Sequence, residues 1–168
     1  MATLSASQIR LLLSTVQARA TPYSGGVKVA VDYLAHPPSG TAAGSLDLAW
    51  SATYTIGTSA TQALDFTALA SGPAGETVDM VKVDWVVIQG VTANTAALHV
   101  KANAANGLVA FLADASDILI VAAAAGDRPY IIPCGGYATS ASLKALDLVN
   151  TSGAVTWTGT VTVLGRSA

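Results

Sequence analysis

Two hydrophobic periods run along this chain, and the change between them falls near residue 26. Upstream, Ile9, Leu12, Leu13 and Val16 recur at the spacing of one helical face. Ser5 and Gln8 stand at the separation of a capping box, while Arg10, Gln17 and Arg19 lie elsewhere on the wheel. Thr21-Pro22 would end such a helix, because the residue before a proline is pushed out of the helical region. The pattern predicts a short helix within an N-terminal arm spanning residues 1–22. A helix of about ten residues is marginal alone, so it needs its own domain or a neighbour to dock on.

After Gly25-Gly26 the period becomes two. Val27, Val29, Val31 and Tyr33 alternate with Lys28, Ala30 and Asp32, as in a half-buried strand. Leu46, Leu48, Trp50, Tyr54 and Ile56 then share one side of a strand whose other side carries Asp47, Ser51, Thr53 and Thr55. Gln62, Leu64 and Phe66 continue the alternation past the turn at Gly57-Thr58-Ser59. Between residues 78 and 89, Val81, Val83, Trp85 and Val87 share a side against Lys82 and Asp84, until Val86 and Ile88 make both sides apolar. Shorter strands are predicted at 98–102, 108–112, 118–121, 130–132 and 143–149. Finally Val155, Trp157, Val161 and Val163 alternate with Thr156, Thr158, Thr160 and Thr162.

Short strands punctuated by small-residue turns predict an all-β fold. We expect a single antiparallel β-sandwich, jelly-roll-like, over residues 23–168, preceded by the short helix. Trp50, Trp85 and Trp157 each sit on the apolar side of their strand, so all three are expected in its core.

Composition sharpens this picture. Ala, Gly, Ser and Thr together supply 80 of 168 residues, and only 6% are aromatic. Charged residues make up 11%, against roughly 25% in an average globular protein. Packing must therefore come from many close contacts between small side chains. Outward Thr and Ser rows must do the wetting that Lys and Glu usually do, and neighbouring subunits are expected to cover part of the surface. A net charge of −2 with scattered Lys and Arg argues against nucleic-acid binding. The longest apolar run, residues 118–125, is far short of the roughly 20 needed to cross a membrane. No basic stretch followed by an apolar block opens the chain, so no signal peptide is expected.

Candidate chemistry is sparse. His36 precedes Pro37 in a loop and His99 alternates with Leu98 and Val100, with no spacing that joins them as metal ligands. Cys134 is the sole cysteine, and nothing near it in sequence would activate it. Asp114 and Asp117 could form a cation corner, but the spacing fits a turn capped by its own carboxylates better. Asp127-Arg128-Pro129 reads the same way, and Asn150-Thr151-Ser152 reads as a hairpin turn rather than a glycosylation site. No glycine pattern makes a phosphate cradle. Neither an enzyme, nor a metal, nor a cofactor is expected.

The C-terminal half carries a resemblance. The stretches ASDILIV at 115–121, GGYAT at 135–139, LDLVNTSG at 146–153 and VTVLG at 161–165, with WSATYTIGTSATQALDFTAL at 50–69, resemble a family of small β-rich virion proteins of tailed bacteriophages. The likeness covers roughly residues 46–165. The segments at 122–126 and 134–136 depart from the family's charged turns. The resemblance implies a β-sandwich-like subunit of the virion surface, repeated many times and without catalysis. The expected function is thus capsid decoration: a cement protein on the outer head surface that binds the major capsid protein and itself, as a homotrimer, with no nucleic-acid or membrane partner. Assembly would take place in the bacterial cytoplasm. Ile9, Leu12, Leu13 and Val16 are the candidate assembly contacts. The alternatives are a head–tail connector, tail-tube or head-fibre subunit, or a carbohydrate-binding virion module.

Overall fold

A computed structural model describes residues 9–17, 27–35, 40–43, 45–70, 77–91, 93–109, 112, 114, 116–121 and 129–168. Among them ten strands are laid down: β1 (Ile9–Gln17), β2 (Val27–Ala35), β3 (Leu48–Ile56), β4 (Thr61–Asp65), β5 (Lys82–Gly90), β6 (Leu98–Ala102), β7 (Ile118–Val121), β8 (Tyr130–Ala138), β9 (Ala145–Asn150) and β10 (Trp157–Arg166). The described residues contain no helix.

Eight of these strands form two four-stranded antiparallel sheets, ordered β3-β10-β5-β8 and β4-β9-β6-β7. The pairing is nested: β6 pairs with β7, β5 with β8, β4 with β9 and β3 with β10. Successive pairs alternate between the two sheets. The inner faces share one apolar cluster, in which Leu48, Trp50, Val83, Val86, Ile88, Trp157, Val161 and Val163 of the first sheet join Leu64, Leu98, Val100, Leu146 and Leu148 of the second. This sandwich-like arrangement agrees with the all-β expectation.

The expected N-terminal helix is replaced by a strand. β1 pairs antiparallel with β2 along its whole length, from Ile9 opposite Ala35 to Gln17 opposite Val27. The run Leu11-Leu12-Leu13 satisfies a period of two as readily as 3.6, and Ile9, Thr15 and Val16 are β-branched and favour strands. A nine-residue ladder outweighs a marginal helix. The proposed cap at Ser5 and the stop at Thr21-Pro22 lie outside the described residues. β2, expected to be the sandwich's first strand, belongs instead to this separate two-stranded sheet. Residues 110 and 111 of the strand expected at 108–112 lie outside the described residues; next to that segment Gly107 bridges Ala145, and Leu108 is fully buried.

The largest departure is in β5. Its register with both neighbours shifts between Val83 and Trp85: against β10 Asp84 is an extra residue, while against β8 residues 134–136 stand opposite Asp84 alone. A bulge of this kind reverses the side on which later residues point. Val83 therefore shares the core with Val86 and Ile88, while Trp85 and Val87 turn to the outer face.

Candidate interaction surface

The expected core tryptophans separate. Trp50 and Trp157 are buried, at 5% and 1% exposure. Trp50 donates from its indole nitrogen to the Ala70 carbonyl at 2.8 Å. Trp157 packs where Gly159, two residues on along the same face of β10, leaves space that any side chain would fill. Trp85 is only half-buried, and the bulge at Asp84 is the reason.

That bulge is held by a buried ion pair. Arg166, at the end of β10, donates from Nε to Asp84 Oδ2 at 2.9 Å and from its terminal nitrogen to Oδ1 at 3.0 Å. This is the two-pronged geometry that suits a guanidinium and a carboxylate. Gly136 lies against the pair with φ +75°, a left-handed conformation that side chains resist, and a Cβ there would collide with the Arg166 guanidinium. One residue beyond, Ser167 donates its amide to Asp47 Oδ1 at 3.0 Å and its hydroxyl to Oδ2 at 2.5 Å. Both clasps are architectural: each charged or polar group faces a partner rather than an open cavity.

The remaining sequence candidates resolve as structural too. Asp114 accepts from the Ser116 hydroxyl at 2.5 Å and amide at 2.6 Å. These bonds hold its carboxyl below the usual range, and the segment is a capped turn. Asn150 is fully buried; its amide nitrogen donates to the carbonyls of Ile56, Gly57 and Val155, and its oxygen accepts from the Ser152 amide at 3.0 Å. His99 lies on β6 opposite Ile120 and Val149. His36, Asp127 and Arg128 lie outside the described residues. Among the described residues no group of three or more potential ligands could hold a metal.

Cys134 is buried on β8, and that burial, reinforced by the Asp84 charge, pushes its thiol up to about 12. It stays neutral at physiological pH, which disarms it as a nucleophile. Because the folded value exceeds the ordinary 9.0, the unfolded chain loses this proton first as pH rises. The folded state is therefore expected to lose stability from about pH 9 to pH 12, by up to about 1.4 kcal/mol per unit. Denaturant titrations should show Cys134→Ala flattening that slope; an unchanged slope would remove the assignment.

What the molecule does present is surface. The outer face of β3-β10-β5-β8 gathers its charge at one end, where Lys82 stands opposite Arg166 and Arg166 pairs with Asp84; the rest of the face is uncharged. One half is a double row of hydroxyls in which Ser51 meets Thr162 at 2.9 Å, Thr53 meets Thr160 at 3.4 Å and Thr158 meets Thr55 at 3.5 Å. The register of β10, β5 and β8 sets Leu164, Trp85 and Pro133 in one row and Thr162, Val87 and Ile131 in the next, so an apolar strip borders the hydroxyls. Along the edge strand β7 of the second sheet, Ile118 and Ile120 are 49% and 55% exposed.

The alternation of Thr with Val along β10 reveals the hydroxyl rows from sequence alone. The apolar strip was hidden, because nothing in the local pattern announces the bulge that exposes it. The candidate assembly contacts Ile9, Leu12, Leu13 and Val16 all lie on β1. Compared with known proteins, the chain matches no family model, no curated protein and no solved structure.

Proposed function

We propose that this chain is a non-enzymatic structural subunit of a tailed-bacteriophage virion, a decoration protein that binds the outer head surface and reinforces it. The observation that carries the reading is the nested pairing of β3 to β10. Four antiparallel pairs, alternating between two sheets of four, support reading the sandwich as a jelly roll built from two Greek keys. That architecture recurs in viral capsid and lectin domains. The resemblance of residues 46–165 to small phage virion proteins supports the first of these.

The surface supports the same choice. Beyond its Lys82–Arg166 end, the outer face of β3-β10-β5-β8 is uncharged, and such a surface is poor at standing alone in water and good at packing against another uncharged surface. Within a shell, each copy would bridge adjacent major capsid subunits, and repetition about symmetry axes would multiply weak single contacts. No cofactor or metal enters this role, and the expected self-partner is a homotrimer. The site of action is the phage head, assembled in the bacterial cytoplasm.

The lectin-like alternative, a carbohydrate-binding virion module, calls for exposed aromatic rings on which sugars stack. Trp85 is half-buried, and Tyr54 packs against the core cluster. A head–tail connector, tail-tube or head-fibre subunit would use the same sheet edges to build rings or rods.

The test is to purify particles from a lysate of the phage that carries this gene and locate the chain by cryo-electron microscopy. Density for one jelly roll per site on the outer shell is the expected result. Absence of the chain from purified particles would end the virion reading, and density confined to the tail would move it to the alternative. Rings of pure protein in negative stain would point to a tube subunit, and a hit on a glycan array to the sugar-binding module.

A further inference from the structure

A sheet ends in two edge strands, each with a row of backbone N–H and C=O groups that no neighbouring strand takes. The two sheets of the sandwich have four such edges, β3 and β8 in one and β4 and β7 in the other. Three of them carry features that discourage pairing with another chain. β8 contains Pro133, and its Gly135 and Gly136 are left-handed, at φ +65° and +75°. β4 has five residues and ends on the carboxylate of Asp65, and β7 has four residues. β3 has none of these protections. Its nine residues, Leu48 to Ile56, include no charge, no proline and no glycine.

That edge is open to water. Among the described residues, no backbone–backbone hydrogen bond reaches β3 except across its ladder with β10. The exposures agree. On the outer face Ser51, Thr53 and Thr55 are exposed, whereas Thr162, Thr160 and Thr158, opposite them on β10, are half-buried. On the inner face Ala52 and Tyr54 are half-buried, whereas Val161 and Gly159 opposite them are buried. Cover is thus lost along one strand, on both of its faces.

We infer that β3 pairs antiparallel with β3 of a second copy, joining two four-stranded sheets into one of eight. Full overlap of the two nine-residue strands puts Ala52 on the two-fold axis. Positions 48, 49, 50 and 51 then meet positions 56, 55, 54 and 53 of the second copy. Every pair joins even to even or odd to odd, and this has two effects. Alternate residues of an antiparallel strand aim their backbone groups at the same neighbour, so the free groups of one copy meet the free groups of the other. Side chains alternate in the same way. Leu48 therefore meets Ile56 and Trp50 meets Tyr54 on the inner face, while Ser51 meets Thr53 on the outer face. The outer pair continues a pattern already present, because Ser51 meets Thr162 at 2.9 Å and Thr53 meets Thr160 at 3.4 Å. Each hydroxyl row would run on across four strands, as Thr162, Ser51, Thr53 and Thr160, and cross-strand hydroxyl pairs stabilise a sheet. The strand is thus its own complement, with no like charges opposed, as a two-fold contact requires. This contact is separate from the three-fold one proposed above, and it stands on the open edge rather than on the virion reading.

Sedimentation velocity of the full-length chain at micromolar concentration tests it. The wild type is expected as a dimer, or as a hexamer where the three-fold contact also forms. Ser51→Lys with Thr53→Lys sets lysine against lysine at both outer pairs and should weaken pairing by roughly tenfold or more, halving the sedimenting mass. Ser51→Glu with Thr53→Glu should do the same. Both positions are exposed, and unchanged far-ultraviolet circular dichroism checks the fold. An equimolar mixture of the two variants should recover the wild-type mass, because each lysine then faces a glutamate. A monomeric or trimeric wild type, variants that keep the wild-type mass, or a mixture that stays dissociated would overturn the inference. Cysteines add a readout of register. Ser51→Cys in one tagged chain and Thr53→Cys in another come within disulfide reach when the strands pair. The mixture should cross-link and neither variant alone should; cross-linking that ignores this pairing would overturn the register. Cys134 is buried, with its thiol pushed up to about 12, and stays out of the reaction. Failure here leaves the virion reading standing, and absence of the chain from particles leaves the pairing standing.

Discussion

Asp84→Ala is expected to cost about 3–5 kcal/mol of folding stability, a large share of the roughly 5–15 kcal/mol that holds a typical domain together. The carboxylate is the partner of the Arg166 guanidinium, whose residue is only 4% exposed. With Asp84 gone, the cation stays in the interior with no counter-charge, and burying an unpaired charge costs far more than a paired one returns. Urea denaturation should show the midpoint falling sharply with little change in slope. The double variant Asp84→Leu, Arg166→Met distinguishes charge from shape. If the loss comes from the stranded cation, removing both charges should restore most of it. A single variant within about 1 kcal/mol of wild type would mean that Arg166 finds water, and that the pair holds nothing in place.

The second large effect separates two tryptophans that look alike in sequence. Trp157→Ala should cost about 3–5 kcal/mol, the usual range for emptying a buried aromatic site. Trp157 lies in the sandwich core at 1% exposure, and the glycine at position 159 that makes room for its ring cannot fill the space left behind. Trp85→Ala removes a ring from the outer face and should cost the isolated subunit less than about 1.5 kcal/mol. Thermal or urea unfolding at concentrations low enough to keep the subunit monomeric makes the comparison. Equal losses at the two positions would put Trp85 in the core and remove the bulge-driven change of face.

How much of this was legible follows from which rules act locally. β6 and β7 were predicted at the bounds they have, because Leu98–Ala102 and Ile118–Val121 are short, clean and flanked by turn residues. β3 and β10 were readable from Thr alternating with large apolar groups, and the hydroxyl pairs across them follow from that alternation. β8 was cut short at Ile132, since Pro133 and the glycines at 135 and 136 look like a turn. In the fold the strand runs through them to Ala138, with both glycines at positive φ. The short helix expected within residues 1–22 gives way to a strand at Ile9–Gln17, where Leu11, Leu12 and Leu13 fit two periods at once, and the pairing that decides between them involves residues up to 26 positions away.

The candidate site was less legible than the fold. Arg166 and Asp84 are 82 residues apart, and no local pattern links a basic residue in a Thr-rich strand to an acid inside an apolar one. The bulge they stabilise then determines which of Val83, Trp85, Val86 and Val87 faces water. A period-two reading carries one phase from end to end of a strand, so a single inserted residue inverts every assignment beyond it. The exposed strip of Trp85, Val87, Ile131 and Leu164 is the product of that inversion.

The position of β10 also constrains the order in which the sandwich can be made. It lies between β3 and β5 in its sheet, yet it follows both in the sequence, and its ladder with β3 joins residues roughly a hundred positions apart. β6 and β7 can close early, because little chain separates them, whereas the outermost nested pair must wait. During synthesis, β3 and β5 therefore emerge with a vacant lane between them, each exposing an unpaired backbone edge until β10 arrives. A chain with so few charges to discourage stray strand pairing is most exposed to misassembly in that interval. Its final strand is the seal that ends it.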